Sequence, residues 1–104
     1  MKTGKELLED KLNNFKFLIA SNIKNEDNSY FIKLMEYNKI DEIIFFYNDN
    51  IKPYLSLGVD TIVSSFMSHL ELNKNDNELY DKIKKYFNFF NDIITELEKN
   101  ESII

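Results

Sequence analysis

The sequence predicts an all-α protein, a compact bundle of four or five helices in which the first and last helices are long. Apolar residues recur at steps of three and four over most of the chain, which is the period of an amphipathic helix. The breaks between these segments are short and polar. With 104 residues, of which 43% are apolar, the chain can bury a core, and we predict one helical domain over residues 1–104.

The two long helices have the clearest signals. Thr3 and Glu6 fit a capping box that starts a helix over residues 3–21. Its apolar stripe is Leu8, Leu12, Phe15, Ile19 and Ile23. The last helix is predicted over residues 76–100 and has the strongest periodicity in the chain. Its two adjacent apolar lines are Leu79, Ile83, Tyr86, Phe90, Ile93 and Leu97, and Tyr80, Phe87 and Ile94.

Shorter helices are predicted between them. Asn28 or Ser29 can cap a helix that runs to about Tyr37. Pro53 suits the first turn of a short helix through Leu57, and Gly58 suits the position after its end. A further helix, over residues 60–72 with Asp60 as its N-cap, has an apolar face made of Val59, Val63, Phe66 and Leu70.

The segment from Ile43 to Tyr47 is ambiguous, because a continuous apolar and aromatic run suits a buried strand as well as a buried helix. We predict a helix with Asp41 as its cap, since the chain offers no strong partner strand. The alternative is an α+β fold with a small sheet around this segment.

The histidine His69 is the one candidate for a neutral-pH catalytic base. A catalytic interpretation would pair it with Ser64, Ser65 or Ser68 as nucleophile. The sequence has neither a strand–turn–helix nucleophile elbow nor a glycine-rich oxyanion loop, so we interpret His69 as a side chain on a helix flank. We predict that the protein is not an enzyme.

Cofactors and metals are not predicted. The chain has no cysteine and only two glycines, which excludes zinc sites of the Cys/His type and glycine-rich nucleotide loops. The pair Asp92 and Glu96 shares one helical face, and residues 73–78 alternate oxygen-bearing side chains. We interpret the pair as part of a solvated surface and the segment as a loop with a helix cap.

The charge of the chain bears on its partners. A net charge of −5 and the absence of arginine argue against nucleic acid. Lys82, Lys84 and Lys85 lie among aromatic residues, as in single-strand binders, but Tyr86 and Phe87 belong to the predicted core face. We also expect no membrane span and no signal peptide, hence a soluble protein in the cytoplasm, that of the host cell if the protein is viral. The abundance of Asn, Lys and Ile is typical of an AT-rich genome.

A few apolar residues miss the core face of their helix. On a helical wheel Phe17 falls nearly opposite the stripe of the first helix, with Leu18 on its flank, and Phe89 lies about 110° from the centre of the last helix's core face. Either the bundle covers these helices on two sides, or the three residues form a surface that binds protein.

We therefore expect a non-catalytic protein-binding module, a small acidic inhibitor, immunity or adaptor protein that acts through Phe17, Leu18 and Phe89. Its size, acidity and predicted bundle are similar to those of small bacterial immunity proteins and of virus- or phage-encoded antagonists, although no residue motif carries a family. The alternative is a structural helical subunit of a homo-oligomer or of a larger assembly, such as a viral or phage particle.

Overall fold

Within residues 4–103, five α-helices and one 3-10 helix make up the fold. The computed structural model describes residues 4–103, with residues 40 and 100–103 as backbone only. The elements in chain order are α1 Gly4–Asn22, α2 Ser29–Glu36, α3 Ile40–Asn50, the 3-10 helix Lys52–Leu57, α4 Val59–His69 and α5 Asn77–Ile103. No strand occurs within these residues. The predicted all-α bundle with long first and last helices is confirmed, and the α+β alternative is wrong.

The ambiguous segment lies in α3, and its burial pattern gives the reason. Ile43, Phe46 and Tyr47 are buried, whereas Phe45 between them is 55% exposed. Steps of three and four place the buried side chains on one face of a helix, and a strand would bury alternate residues. The run is therefore less uniformly buried than its composition indicates.

The start of α3 differs from the prediction, which took Asp41 as the cap. The helix begins at Ile40, and the carboxylate of Glu42 accepts hydrogen bonds from the backbone nitrogens of Asn38 (2.7 Å) and Lys39 (3.0 Å). These amides have no partner inside the helix, so a glutamate in the first turn replaces the aspartate cap.

Helices α1 and α5 are antiparallel. Gly4 lies close to Leu97 near the end of α5, and Leu18 lies near Leu79 at its beginning. Between these ends Phe15 is fully buried, at the centre of an aromatic cluster with ring centroids 5.4–5.8 Å away. Its neighbours in that cluster are Phe66, Tyr86, Phe87 and Phe90.

Buried side chains of all five α-helices belong to one hydrophobic cluster. Helix α3 contacts both α1 and α5, and α4 packs mainly against α5. Several residues of the predicted core faces are only partly buried at the border of this cluster: Ile23, Val59, Tyr80, Tyr86, Ile93 and Leu97.

Two helix caps agree with the sequence. Asn28 accepts hydrogen bonds from the backbone nitrogens of Tyr30 and Phe31 at the start of α2. Asp76 does the same for Leu79 at the start of α5. The predicted cap at Thr3 lies outside the described residues.

Helix α4 differs from the prediction at both ends. Its N-cap is Gly58, with φ of 94°, and Asp60 lies inside the first turn, where it binds α5 instead. The helix ends at His69 and not at residue 72, because Glu71 adopts a left-handed conformation with φ of 57°. The Leu72 nitrogen then donates to the Met67 carbonyl, as in a Schellman motif.

None of the helices in the described part of the chain is long and apolar enough to cross a membrane.

Candidate functional site

A groove of about 650 Å³ runs between α1 and α5. In the part of the chain that the structure describes, side chains of these two helices line it: Lys11, Asn14, Phe17, Leu18 and Ser21 from α1, and Lys82, Lys85, Tyr86 and Phe89 from α5. The spacing of three and four along each helix shows that each contributes one continuous face, next to its core face. The three residues predicted as a protein-binding surface, Phe17, Leu18 and Phe89, all line this groove.

Phe17 has the most exposed large apolar side chain among the described residues, at 75%. None of the described helices covers it. Leaving a phenylalanine in water forgoes about 1.5–3 kcal/mol of burial free energy, so Phe17 adds nothing to the core of this bundle. The prediction that its side chain is off the core face is confirmed.

Leu18 and Phe89 differ from Phe17, because both are half-buried and pack against the core. The ring of Phe89 meets the ring of Phe90 edge to face, with centroids 6.4 Å apart. The ammonium group of Lys11 lies 5.2 Å from the centroid of the Phe89 ring, within range of a cation–π interaction. Leu18 and Phe89 therefore form the base of the groove, where the core holds their side chains. Phe17 forms its side, and its side chain extends into solvent.

The sequence prediction missed the lysines of this site. It treated Lys82, Lys84 and Lys85 as one solvated group, but the structure separates them. Lys82 and Lys85 line the groove together with Lys11, whereas Lys84 pairs with Asp60 of α4 at 3.0 Å. Superposing the helical wheels of α1 and α5 would have placed Lys11 and Lys85 beside the off-face aromatic residues.

A second cavity of about 400 Å³ contains the candidate catalytic histidine. The His69 ring stacks on the Tyr30 ring, with centroids 5.3 Å apart and an interplanar angle of 12°. The Tyr30 hydroxyl donates to Asn50 Oδ1 at 2.6 Å, and burial, with the nearby carboxylate of Asp49, raises the pKa of that hydroxyl. This arrangement joins α2, α3 and α4.

The three serines of the rejected catalytic interpretation are exposed, and they do not form a relay with His69. Ser68 Oγ donates to the backbone carbonyl of Ser64, one turn earlier in the same helix. Within the described residues no hydrogen bond connects the His69 ring to Ser64, Ser65 or Ser68. A serine hydroxyl that donates to a carbonyl in its own helix is not activated as a nucleophile.

The acidic residues singled out by spacing lie at the surface or serve as a helix cap. Asp92 and Glu96 are exposed on α5, and Asp76 of the 73–78 loop is occupied as a helix cap. Within the described residues no three acidic or histidine side chains gather where they could hold a metal ion.

A search of protein-family models, curated proteins and solved structures finds no match to this chain.

Proposed function

We propose that this protein is a non-catalytic binding module that occupies a surface of another protein through the groove between α1 and α5. The supporting observation is the position of Phe17, whose side chain is 75% exposed on the rim of an apolar groove. Aromatic residues contribute strongly at protein interfaces because they bury a large area at a small cost in rotamer entropy. An inhibitor, an immunity protein or an adaptor would use such a surface.

The division of roles within the groove supports docking. Leu18 and Phe89 are held by the core, so their positions are set before a partner arrives. Preformed contact residues lose little conformational freedom on binding, which favours affinity. Phe17 supplies the apolar area that a partner would cover.

The experiment uses this protein as bait to capture a partner from a lysate of the cells in which it occurs. The affinity for the captured protein is then measured. Phe17→Ala is expected to weaken that association by at least about 2 kcal/mol while the free energy of unfolding falls by less than about 1 kcal/mol. The matched control is Phe45→Ala, which removes a phenylalanine that is 55% exposed on α3, away from the groove. Equal losses for both variants would contradict a specific role of the groove.

The second candidate function is that of a structural subunit in a homo-oligomer or larger assembly. A different apolar surface favours it: Tyr54 and Leu57 of the 3-10 helix are 48% and 62% exposed. Light scattering over a range of concentrations separates the two functions. A stable oligomer that Leu57→Ser dissociates, and that Phe17→Ala leaves intact, would support the structural role.

A further inference from the structure

The charges of the groove between α1 and α5 are opposite in sign to the charge of the whole chain. The protein carries a net charge of −5, yet among the described residues the charged side chains that line the groove are three lysines, Lys11, Lys82 and Lys85. The remaining lining residues are apolar, aromatic or neutral. The groove is therefore a local positive, apolar surface on an acidic protein.

These lysines are only weakly engaged inside the protein. Lys82 forms an ion pair with Glu78 at 3.1 Å on the same helix, but both side chains are more than half exposed to solvent. Exposed pairs at this spacing contribute little, so a better-placed partner carboxylate can replace Glu78. Lys85 is exposed, and Lys11 lies over a ring rather than against a carboxylate.

We propose that the occupant of this groove is an acidic amphipathic α-helix of a partner protein, an inference that rests on the proposed function. From Lys11 to Ser21 the groove runs along about 15 Å of α1, which matches about three turns of a partner helix. Apolar side chains at i, i+3 or i+4, and i+7 would lie on Phe17, Leu18 and Phe89. Aspartate or glutamate on either side of this row of apolar side chains would reach Lys11 on α1 and Lys82 and Lys85 on α5.

Other occupants fit less well. A strand would need a sheet edge to extend, and the described residues contain no strand. A single-stranded nucleic acid needs several free rings for successive bases. Among the described rings that line the groove, only that of Phe17 is free to stack on a base. Phe89 packs on Phe90, and the ring of Tyr86 packs on that of Phe15, with 5.4 Å between their centroids.

A second copy of this chain, docked groove to groove, would bring two sets of lysines together. In a twofold dimer the same patch faces itself, so Lys11, Lys82 and Lys85 of one copy would face the lysines of the other copy across the interface. Like charges opposed across an interface disfavour association. A heterologous partner with an acidic helix avoids this repulsion.

The test uses designed helical peptides of about 18 residues that share one apolar ridge. One peptide carries glutamate on its flanks, and its counterpart carries lysine at the same positions. A single tryptophan in each peptide reports binding directly by fluorescence, since the protein has no tryptophan. We expect the acidic peptide to bind at least about tenfold more tightly than the basic one, with the difference shrinking as salt rises.

Charge reversal provides the control within the protein. The double variant Lys82→Glu/Lys85→Glu is expected to weaken binding of the acidic peptide about tenfold and to improve binding of the basic peptide. The matched double variant Lys33→Glu/Lys74→Glu makes the same change at exposed positions outside the groove and should leave both affinities unchanged.

The outcomes separate this inference from the function on which it rests. Equal binding of the two peptides, or tighter binding of a single-stranded oligonucleotide, would overturn the acidic helix as occupant. The same holds if neither peptide binds. In each of these cases the proposed function is judged separately, by the effect of Phe17→Ala on the captured partner.

Discussion

The two long helices each have two apolar faces, and the bundle covers only one of them. On the inner face Phe15 and Phe90 are at most 1% exposed, inside the aromatic cluster that joins α1, α4 and α5. On the outer face Phe17 is 75% exposed, and Leu18 and Phe89 are half-buried. Folding accounts for the inner face, because its burial stabilises the bundle. It does not account for the exposure of Phe17 on the outer face, and this exposure is the basis of the proposed binding function.

The lysines of the long helices also differ in their contacts. Outside the groove, Lys84 pairs with Asp60 of α4 at the surface, and the Lys16 ammonium donates to the carbonyl of Tyr37 at 2.7 Å. These contacts connect α5 with α4 and α1 with the end of α2. The neighbouring Lys85 lines the groove and is exposed. Adjacent lysines of α5 thus have separate roles: Lys84 joins two helices, and Lys85 contributes to the groove.

The largest expected effect is on the inner face. Phe90→Ala should lower the free energy of unfolding by about 3–5 kcal/mol, because it leaves a cavity in the aromatic cluster. Denaturant unfolding followed by circular dichroism measures this change. If Phe90→Ala shifted the unfolding midpoint no more than Phe17→Ala does, the assignment of the inner face would be wrong.

The second effect distinguishes the two phenylalanines of the groove. Phe89→Ala should cost about 1–2 kcal/mol of stability, since its ring packs partly on the core, and Phe17→Ala should cost less than about 1 kcal/mol. Both should weaken peptide or partner binding. Thermal or denaturant unfolding of the two variants in parallel measures the loss of stability in each. Equal losses would show that the core does not hold Phe89 more firmly than Phe17.

Much of the fold follows from sequence periodicity, because burial of one face per helix is a local pattern. The helix boundaries were harder to predict from the sequence. Asp41 and Asp60 were both predicted as N-caps. In the structure Glu42 caps α3 from its first turn. Asp60 accepts a hydrogen bond from the Tyr80 hydroxyl and pairs with Lys84, both in α5. At α3 two adjacent acidic residues were candidates for one cap. At α4 a local cap competes with a tertiary partner, and that competition is not readable along the chain.

The site was predictable residue by residue but not as a whole. Phe17, Leu18 and Phe89 were each identifiable as off-face on their own helical wheel. That they line one groove with Lys11 and Lys85 depends on the rotation and crossing of α1 against α5. Packing of the inner faces sets that geometry, and periodicity alone does not supply it.

The pH dependence of stability is expected to arise from carboxylates outside the groove. Hydrogen bonds from the backbone amides of Asn38 and Lys39 hold the pKa of Glu42 below its ordinary value. A carboxyl with a lowered folded pKa stabilises the protein above its unfolded pKa of about 4.3, and this contribution is lost as pH falls through the folded pKa. Glu42→Gln should therefore be less stable than the wild type at pH 7.

Unfolding midpoints between pH 7 and pH 3 measure this effect. The gap between wild type and Glu42→Gln should close towards low pH, whereas Glu36→Gln, at an exposed position of α2, should follow the wild type throughout. A gap that persisted at pH 3 would show that Glu42 acts by packing.

The smallest effect is expected at the turn that ends α4 and brings Leu72 into the core. Glu71 has a φ of 57°, a left-handed conformation that is costly for a residue with a side chain and easy for glycine. Glu71→Gly should raise the free energy of unfolding by about 0.5–1 kcal/mol, since relief of the strain exceeds the added flexibility of the unfolded chain. Glu71→Ala also removes the negative charge at the helix end but keeps the strain, so it isolates the electrostatic part. Denaturant unfolding of both variants decides the matter: a gain with glycine alone supports the left-handed turn, whereas equal gains would trace the effect to charge.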